Sequence, residues 1–337
     1  MKYKIEKDRE YLKFSGRIIY RDNEAILGYT NSFMELKVKG TAVDVNFRTG
    51  NNEEVNQPGL KVYVDGELTD EIVLTREKDK IRIYNGEKDE VHRVKLIKIT
   101  EAAMSFVAVS DIEVEGELIS LKDEVDERTK VEFIGDSITC GYGVLGEPDS
   151  EYTVREEDGE LSYAGVLSKK MDWNARWASV SGYGMFVEYT GDPENIVPKV
   201  YAYTNWFYDK EERLDYSEFE PDYIFVNLGT NDSGHLGDPN ILGGFKSRYE
   251  SFLYTLRMAH KDSTIICILG TLAPGVYKYV QEVIDKVKSQ GFENLYGLEL
   301  PEHNVELDGM ASGHPSPATH IKDADRIIEF MKREGMA

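Results

Sequence analysis

Residues 131–143 read VEFIGDSITCGYG. A short apolar run is followed at once by glycine, aspartate and serine, which is typical of a buried strand that presents polar groups at its carboxyl end. In an open α/β sheet, ligands bind beyond the carboxyl ends of the strands. The stretch therefore predicts the first strand of an α/β domain, with a functional site around Ser137.

The rest of the second half of the chain continues this pattern. Four more apolar runs can be interpreted as buried strands, and they lie at 176–180, 223–228, 264–269 and 294–298. Helical patterns lie between or after them, and the last helix has apolar residues at three- and four-residue spacing from Ile321 to Met331. This alternation predicts a five-stranded parallel sheet covered by helices on both faces, within a domain of residues 129–337.

Residues 1–120 follow a different periodicity. Short runs such as 34–38 and 61–65 alternate apolar and polar residues, and turn pairs such as Asp65-Gly66 separate them. Period two over short segments with tight turns is typical of an antiparallel β-sandwich. We therefore predict an all-β domain over 1–120, joined by a polar and charged linker, 121–128, to the second domain.

Composition excludes several classes of function. The chain has 337 residues with 40 basic and 62 acidic side chains, a formal charge of −22, so a phosphate backbone would be repelled. No window approaches the roughly 18 consecutive apolar residues of a membrane span. The first residues lack an apolar signal segment, and two cysteines cannot form a disulfide framework. We expect a cytoplasmic protein that binds neither nucleic acid nor a membrane, and the sequence does not indicate its oligomeric state.

Four polar segments are expected to meet at one rim of the predicted sheet. They contain Ser137 after the first strand, Gly182 after the second, Asn231 after the third and His314 before the last helix. A hydroxyl nucleophile, an imidazole base and N–H groups that hold an oxyanion are the parts of a serine hydrolase. The constellation therefore predicts nucleophilic catalysis at Ser137.

These segments resemble the SGNH (GDSL-type) hydrolases. The matching blocks are Gly135-Asp136-Ser137-Ile138, Gly182, Gly229-Thr230-Asn231-Asp232 and His314-Pro315. A β-sandwich ahead of the hydrolase domain and the longer string at 135–143 are similar to carbohydrate esterase family 2, over essentially the whole chain. The resemblance implies a jelly-roll-like first domain and a flavodoxin-like SGNH domain. It also implies a serine esterase that removes O-acetyl groups from plant-type oligosaccharides or polysaccharides such as xylan and mannan.

The resemblance also implies roles for individual residues. Ser137 would be the nucleophile and His314 the general base. The oxyanion hole would comprise the backbone N–H groups of Ser137 and Gly182 and the side-chain amide of Asn231. Gly184 is the less favoured alternative to Gly182, because Gly182 directly follows a serine, as in the family's second block.

The chain departs from the superfamily pattern at one position. Most members have an aspartate three residues before the histidine, whereas this chain has Ala311 there. Ser-His dyads without that acid are known in carbohydrate esterase family 2. We therefore predict a dyad, with Asp308 or another acid outside the motif as the less favoured third member.

Several residues have plainer interpretations. Taken alone, Ser137 is favoured as a helix N-cap. Tyr142 and Trp206 are candidates for stacking on a sugar ring, although aromatic residues in loops also form small local cores. The other five histidines are expected mostly at the surface. We expect no metal site and no cofactor, because the sequence has no HExxH motif, paired CxxC motif or carboxylate-rich loop.

Two alternative functions remain open at the level of sequence. A lipase or thioesterase of the same superfamily would need an apolar channel for an acyl chain. A carbohydrate-binding protein with a silent hydrolase domain would have no physical reason to keep Ser137, Gly182, Asn231 and His314 together, so we favour the esterase.

Overall fold

The computed structural model describes residues 1–50, 53–86, 90–148, 150–273 and 275–336. Within them an antiparallel sheet ends at residue 119, and a parallel sheet with helices begins at residue 130. The prediction of an all-β domain followed by an α/β domain is confirmed, while the proposed boundaries of the linker stay a prediction. No helix in these ranges is both long enough and apolar enough to span a membrane.

The first sheet is built around two long strands. Its strands are β1 (Lys2–Tyr3), β2 (Leu12–Ser15), β3 (Ile18–Arg21), β4 (Glu24–Leu27), β5 (Phe33–Thr49), β6 (Gly59–Val64), β7 (Glu67–Val73), β8 (Lys78–Asn85), β9 (Val91–Lys98) and β10 (Val107–Ile119). Strand β5 pairs with β10 along most of its length, with β9 through its first half and with β8 through its second half.

A register shift interrupts the pairing of these two long strands. The pairing of β5 with β10 shifts register between Glu115 and Gly116, opposite Gly40. A Cβ atom on Gly40 would collide with the carbonyl oxygen of Glu115, so only glycine permits this close approach. The folded sheet encloses a core of aliphatic side chains that includes Val38 and Val45.

The second sheet has five parallel strands in the described residues, as predicted, in the order β12-β11-β13-β14-β15. These strands are β11 (Lys130–Gly135), β12 (Asn174–Ser179), β13 (Tyr223–Asn227), β14 (Thr264–Thr271) and β15 (Leu295–Glu302). The helices are α1 (Ser137–Cys140), α2 (Tyr163–Lys170), α3 (Val197–Val200), α4 (Pro239–Ala259), α5 (Tyr277–Ser289), α6 (Val305–Asp308) and α7 (Pro317–Arg333).

Helices cover both faces of this sheet because successive strand residues point to opposite sides. Val226 of β13 packs in a cluster with residues of α4 and α5, whereas its neighbour Phe225 packs in a cluster with residues of α2 and α7. Both faces are therefore buried, which explains why the strands are almost continuously apolar.

A buried carboxylate joins the two domains. Glu132 of β11 accepts hydrogen bonds from Arg17 Nη2 at 3.0 Å, Arg176 Nε at 2.7 Å and the Tyr201 hydroxyl at 2.6 Å. Arg17 belongs to the first domain, between β2 and β3. Burial alone would raise the pKa of Glu132, but the two guanidinium groups outweigh it and bring that pKa to about 2. Glu132 is therefore ionised and attracts Arg17 across the junction.

We expect Arg17→Met to lower the free energy of unfolding by about 3–5 kcal/mol, because it leaves a buried carboxylate with one cation fewer. Urea denaturation followed by tryptophan fluorescence measures the change. Arg21→Met is the matched control, since Arg21 pairs with Asp209 and Glu212 at the surface and should matter much less. Equal effects of the two substitutions would contradict this role for Arg17.

Candidate active site

The register of three neighbouring strands brings the predicted blocks to one rim. Gly135 of β11 pairs with Ser179 of β12 and with Asn227 of β13. The loops that follow these residues carry Ser137, Gly182 and Asn231. Because the strands are parallel, all three loops leave the sheet at the same edge.

Ser137 and His314 meet at this edge although they are 177 positions apart in the chain. His314 Nε2 lies 2.8 Å from Ser137 Oγ. The interpretation of Ser137 as a helix cap is wrong, because Asp136 caps α1 by accepting the Ile138 N–H at 3.1 Å. The Ser137 hydroxyl is therefore free to donate its proton to the imidazole, as a serine nucleophile requires.

A tight turn positions the histidine. The Met310 N–H donates to the His314 carbonyl oxygen at 2.7 Å, and Ser312 between them has a left-handed φ of 52°. The side chain of Ala311 is fully buried, and a Cβ atom on Gly146 would collide with it. The loop is therefore closely packed at position 311, where the superfamily pattern has an aspartate.

Asp308 is engaged elsewhere. Its carboxylate accepts hydrogen bonds from the hydroxyl groups of Ser316 and Thr319. The buried Nδ1 atom of His314 makes no well-formed hydrogen bond with a described residue, and the oxygen atoms that act on the ring are the backbone carbonyl groups of Ser312 and Ala311, not Asp308. The structure therefore does not bring Asp308 to the histidine.

Burial sets the protonation state of His314. Removal from water lowers the pKa of its imidazole to about 4, although the backbone carbonyl groups of Ser312 and Ala311 oppose the shift. The ring is therefore neutral near pH 7. A neutral imidazole next to a serine hydroxyl is a general base ready to accept a proton.

The predicted oxyanion donors are the backbone N–H groups of Ser137 and Gly182 and the side-chain amide of Asn231, and all three residues follow strands at this edge of the sheet. In the part of the chain that the structure describes, the backbone N–H groups of Ser137 and Gly182 donate to no protein acceptor. Gly182 has a φ of +78°, and Asn231 Nδ2 donates one proton to the Tyr183 carbonyl oxygen at 2.9 Å, which leaves its second N–H available. Gly184 has a packing role, because a Cβ atom there would collide with the chain at residue 187.

Two buried acids hold the loop that carries Gly182, and sequence reasoning missed the role of both. Asp232 accepts three hydrogen bonds of 2.8–2.9 Å from the backbone N–H groups of residues 185–187. Glu101 Oε2 accepts the Ser181 N–H at 2.8 Å. Glu101 lies between β9 and β10, so the first domain contributes directly to the site. An isolated acid outside any repeat or motif gives no sequence signal for this contact.

Glu101 also belongs to a buried group of ionisable side chains. Glu101, Cys140 and Glu157 are the described residues whose ligand atoms lie close enough together to hold a metal ion, within 4.8 Å of one another. Burial raises the pKa of both carboxyl groups, and it lowers the pKa of the neighbouring Lys98 amine to about 8. Burial thus disfavours the ionised form of both carboxyl groups, the form in which they would bind a cation.

The two candidate aromatic residues occupy different environments. The Tyr142 ring stacks on Tyr152 with centroids 3.5 Å apart, and its centroid lies 4.5 Å from that of the His314 ring. The Trp206 ring lies 4.7 Å from that of Tyr203 and close to the ammonium groups of Lys199 on α3 and of Lys210. The structure thus places Tyr142, and not Trp206, against the histidine, and sugar stacking by either ring stays a prediction.

The expectation that most other histidines lie at the surface is wrong. His260, His303 and His320 are buried. His320 accepts the Tyr163 N–H at 3.0 Å through Nδ1. A neutral imidazole can serve as a buried hydrogen-bond acceptor, which the polarity of histidine in a sequence does not reveal.

Both domains of the chain are similar to known proteins. Residues 14–121 match the carbohydrate esterase 2 N-terminal domain, and residues 133–320 match the GDSL-like lipase/acylhydrolase family. The cellulase/esterase CelE of Acetivibrio thermocellus is 27% identical over 98% of this chain, which spans only 40% of that protein. An acetylxylan esterase/glucomannan deacetylase of Cellvibrio japonicus is 22% identical over 96% of this chain and 88% of its own length.

A solved structure agrees with the fold. A family two carbohydrate esterase from Clostridium thermocellum, in complex with cellohexaose, has a TM-score of 0.87 and 27% identity. The similarity covers 97% of this chain and 100% of that chain. Both domains of this chain therefore have counterparts in that enzyme.

We expect Glu101→Ala to lower kcat roughly tenfold or more with little change in KM, because the loop carrying a predicted oxyanion donor loses its anchor. Glu101→Gln should stay within several-fold of the wild type, since its amide oxygen can still accept the Ser181 N–H. Steady-state hydrolysis of p-nitrophenyl acetate measures both constants. If Glu101→Gln loses as much kcat as Glu101→Ala, or if KM rises instead, the positioning role is wrong.

Proposed function

Because the chain belongs to the GDSL-like lipase/acylhydrolase family and is by that membership a carboxylic ester hydrolase, we propose that it removes O-acetyl groups from plant-type oligosaccharides or polysaccharides such as xylan and mannan. The observation that carries the proposal is the 2.8 Å contact between His314 Nε2 and Ser137 Oγ. The carbohydrate esterase 2 N-terminal domain and the acetylxylan esterase among the relatives support the substrate class. The cytoplasmic location expected from the sequence stays a prediction.

The proposed reaction begins with attack by Ser137 Oγ on the acetyl carbonyl carbon. His314 Nε2 takes the hydroxyl proton, and the negative charge that develops on the carbonyl oxygen is held by the N–H groups of Ser137 and Gly182 and the amide of Asn231. The intermediate collapses to an acetyl ester on Ser137, and His314 returns the proton to the sugar hydroxyl that leaves. Water, deprotonated by His314, then attacks the acetyl ester, acetate leaves, and His314 returns the proton to Ser137 Oγ.

The proposed proton transfer uses a dyad. The turn at 310–314, which fixes the backbone of His314, and the contact of its ring with Tyr142 support an orientation of the imidazole without a carboxylate. When His314 becomes charged during the reaction, the carbonyl groups of Ser312 and Ala311 favour the imidazolium form. We therefore include only Ser137 and His314 in the proton transfer.

We expect the pure protein to release acetate from acetylated xylo- and manno-oligosaccharides, and Ser137→Ala to abolish that release. Time-resolved NMR of the acetyl signals measures it. Ser251→Ala is the matched control, because Ser251 is exposed on α4 and its hydroxyl donates only to the Ser247 carbonyl oxygen.

Each alternative function has its own outcome in this experiment. Faster release of long-chain acids than of acetate from p-nitrophenyl esters would favour a lipase or thioesterase. Binding of the oligosaccharides without any loss of acetyl signal would favour a silent carbohydrate-binding protein. Full release by Ser137→Ala would rule out the proposed nucleophile.

We expect Asp308→Asn to leave turnover within several-fold of the wild type, because its side chain contacts Ser316 and Thr319 and not the histidine. His314→Ala should lower turnover by roughly 10²- to 10⁴-fold through loss of the general base. Initial rates of acetate release measure both variants. A collapse of Asp308→Asn to the level of His314→Ala would show that the acid takes part.

A further inference from the structure

Two tyrosine rings are stacked beside His314, and we call Tyr142 and Tyr152 the tyrosine pair. The Tyr142 ring lies against the His314 ring, with centroids 4.5 Å apart and planes inclined by 42°. The Tyr152 ring stacks on Tyr142, with centroids 3.5 Å apart and planes inclined by only 12°. Tyr152 thus supports the ring that contacts the imidazole, although it belongs to none of the four blocks that the sequence identifies.

The segment that carries the tyrosine pair also supports the turn of His314. The Ser312 N–H donates to the Ser150 carbonyl oxygen at 2.9 Å. A Cβ atom on Gly143 would lie 2.8 Å from the Ala311 carbonyl oxygen, which is too close for van der Waals contact. These contacts hold the backbone of the turn, whereas the tyrosine pair holds the imidazole ring itself.

A buried acid fixes the outer end of Tyr152. The Tyr152 hydroxyl donates to Glu157 Oε2 at 2.7 Å, and Glu157 is 1% exposed. Glu157 belongs to the same buried group as Glu101, which accepts the Ser181 N–H. This group therefore supports the side of the site that contains the histidine as well as the loop of Gly182.

The stacking leaves less of the Tyr142 ring for a substrate. With nearly parallel planes and centroids 3.5 Å apart, Tyr152 covers one face of Tyr142, and that face cannot receive a sugar ring. The His314 ring lies against Tyr142 as well. The geometry therefore favours a role of the pair toward the imidazole over a role in sugar stacking.

Contact with the tyrosine pair keeps water away from part of the His314 ring. Removal from water disfavours the charged form of an imidazole, and it lowers the pKa of His314 from its ordinary 6.5 to about 4. The protonation of the general base therefore depends on how completely its ring is covered.

Other titratable groups near this ring do not replace that effect. His303 follows β15 and His320 lies on α7, and burial lowers the pKa of both imidazoles, so neither is a fixed cation near pH 7. Burial raises the pKa of the Tyr142 and Tyr152 phenols, which therefore stay neutral. The backbone carbonyl groups of the turn favour the charged imidazole. Exclusion of water is thus the main reason why the base stays neutral in mildly acidic solution.

On the basis of the proposed reaction at Ser137, we propose that Tyr152 is a positioning residue for the general base, which holds the Tyr142 ring against His314 and thereby excludes water from the imidazole. Without the Tyr152 ring, Tyr142 loses its support and water reaches the imidazole. The pKa of His314 then rises toward its ordinary value. The base becomes protonated at a pH at which the wild type keeps it neutral.

The pH dependence of kcat/KM for acetate release from acetylated xylo-oligosaccharides tests this role in Tyr152→Leu. A general base must be neutral, so activity is lost as the pH falls through the pKa of His314. We expect this acidic limb to lie about one pH unit or more above that of the wild type. KM at pH 7 should stay within about twofold, because the pair does not bind the sugar.

Three further variants separate the ring stack from general damage. Tyr152→Phe keeps the ring and loses only the hydroxyl, so it should restore the wild-type limb. Tyr152→Met fills the space without a flat face, should show the same rise as Tyr152→Leu, and keeps the test available if that variant does not fold. Tyr254→Leu is the matched control and should keep the wild-type limb, because Tyr254 contacts the Phe292 ring and donates to Gln290 in the second half of α4.

Direct titration of the His314 ring by NMR, with its signal assigned through His314→Ala, distinguishes this inference from the proposed function because it needs no turnover. An unchanged pKa of His314 in both Tyr152→Leu and Tyr152→Met would overturn the inference even in a protein that releases acetate. A rise in KM without movement of the acidic limb would place the pair in substrate binding and overturn it as well. A wild type that keeps His314 neutral at pH 5.5 but releases no acetate would contradict the proposed function and leave the covering of the imidazole by the pair supported.

Discussion

The relation between the two domains depends on the buried carboxylate of Glu132. It lies on β11, the strand that ends just before Ser137, and it is neutralised by Arg176 of the neighbouring strand and by Arg17 of the first domain. A buried charge is strongly destabilising without its partners, so this cluster tolerates little separation of the domains. The first domain is thereby held against the strand that positions the nucleophile.

This junction extends the function of the first domain beyond that of a scaffold. Glu101 reaches from the segment between β9 and β10 to the Ser181 N–H, next to a predicted oxyanion donor. On the far side of the same junction, β5 and β9 complete a cavity that contains Lys95. One interface therefore shapes both the catalytic rim and this cavity.

In the proposed dyad, packing around the histidine takes the place of an acid. Ala311 fits against Gly146, and the turn at 310–314 together with the Tyr142 ring fixes the imidazole. Burial keeps that imidazole neutral near pH 7. The acetyl ester proposed as substrate is uncharged, so the field of a strongly acidic chain would not repel it from the nucleophile.

The sequence by itself determined the class of each domain, and it identified Ser137 and His314 as candidate catalytic residues. Both results rest on local patterns, the strand and helix periodicities and the four blocks, which can be read from the sequence alone. Only the tertiary structure decided that Asp136, not Ser137, caps α1, that Asp308 bonds to two hydroxyl groups, and that three further histidines are buried. It also showed the contact of Glu101 with the catalytic loop. The physical reason is that hydrogen bonding, burial and pKa depend on atoms brought together from distant parts of the chain, and no local pattern records which atoms those will be.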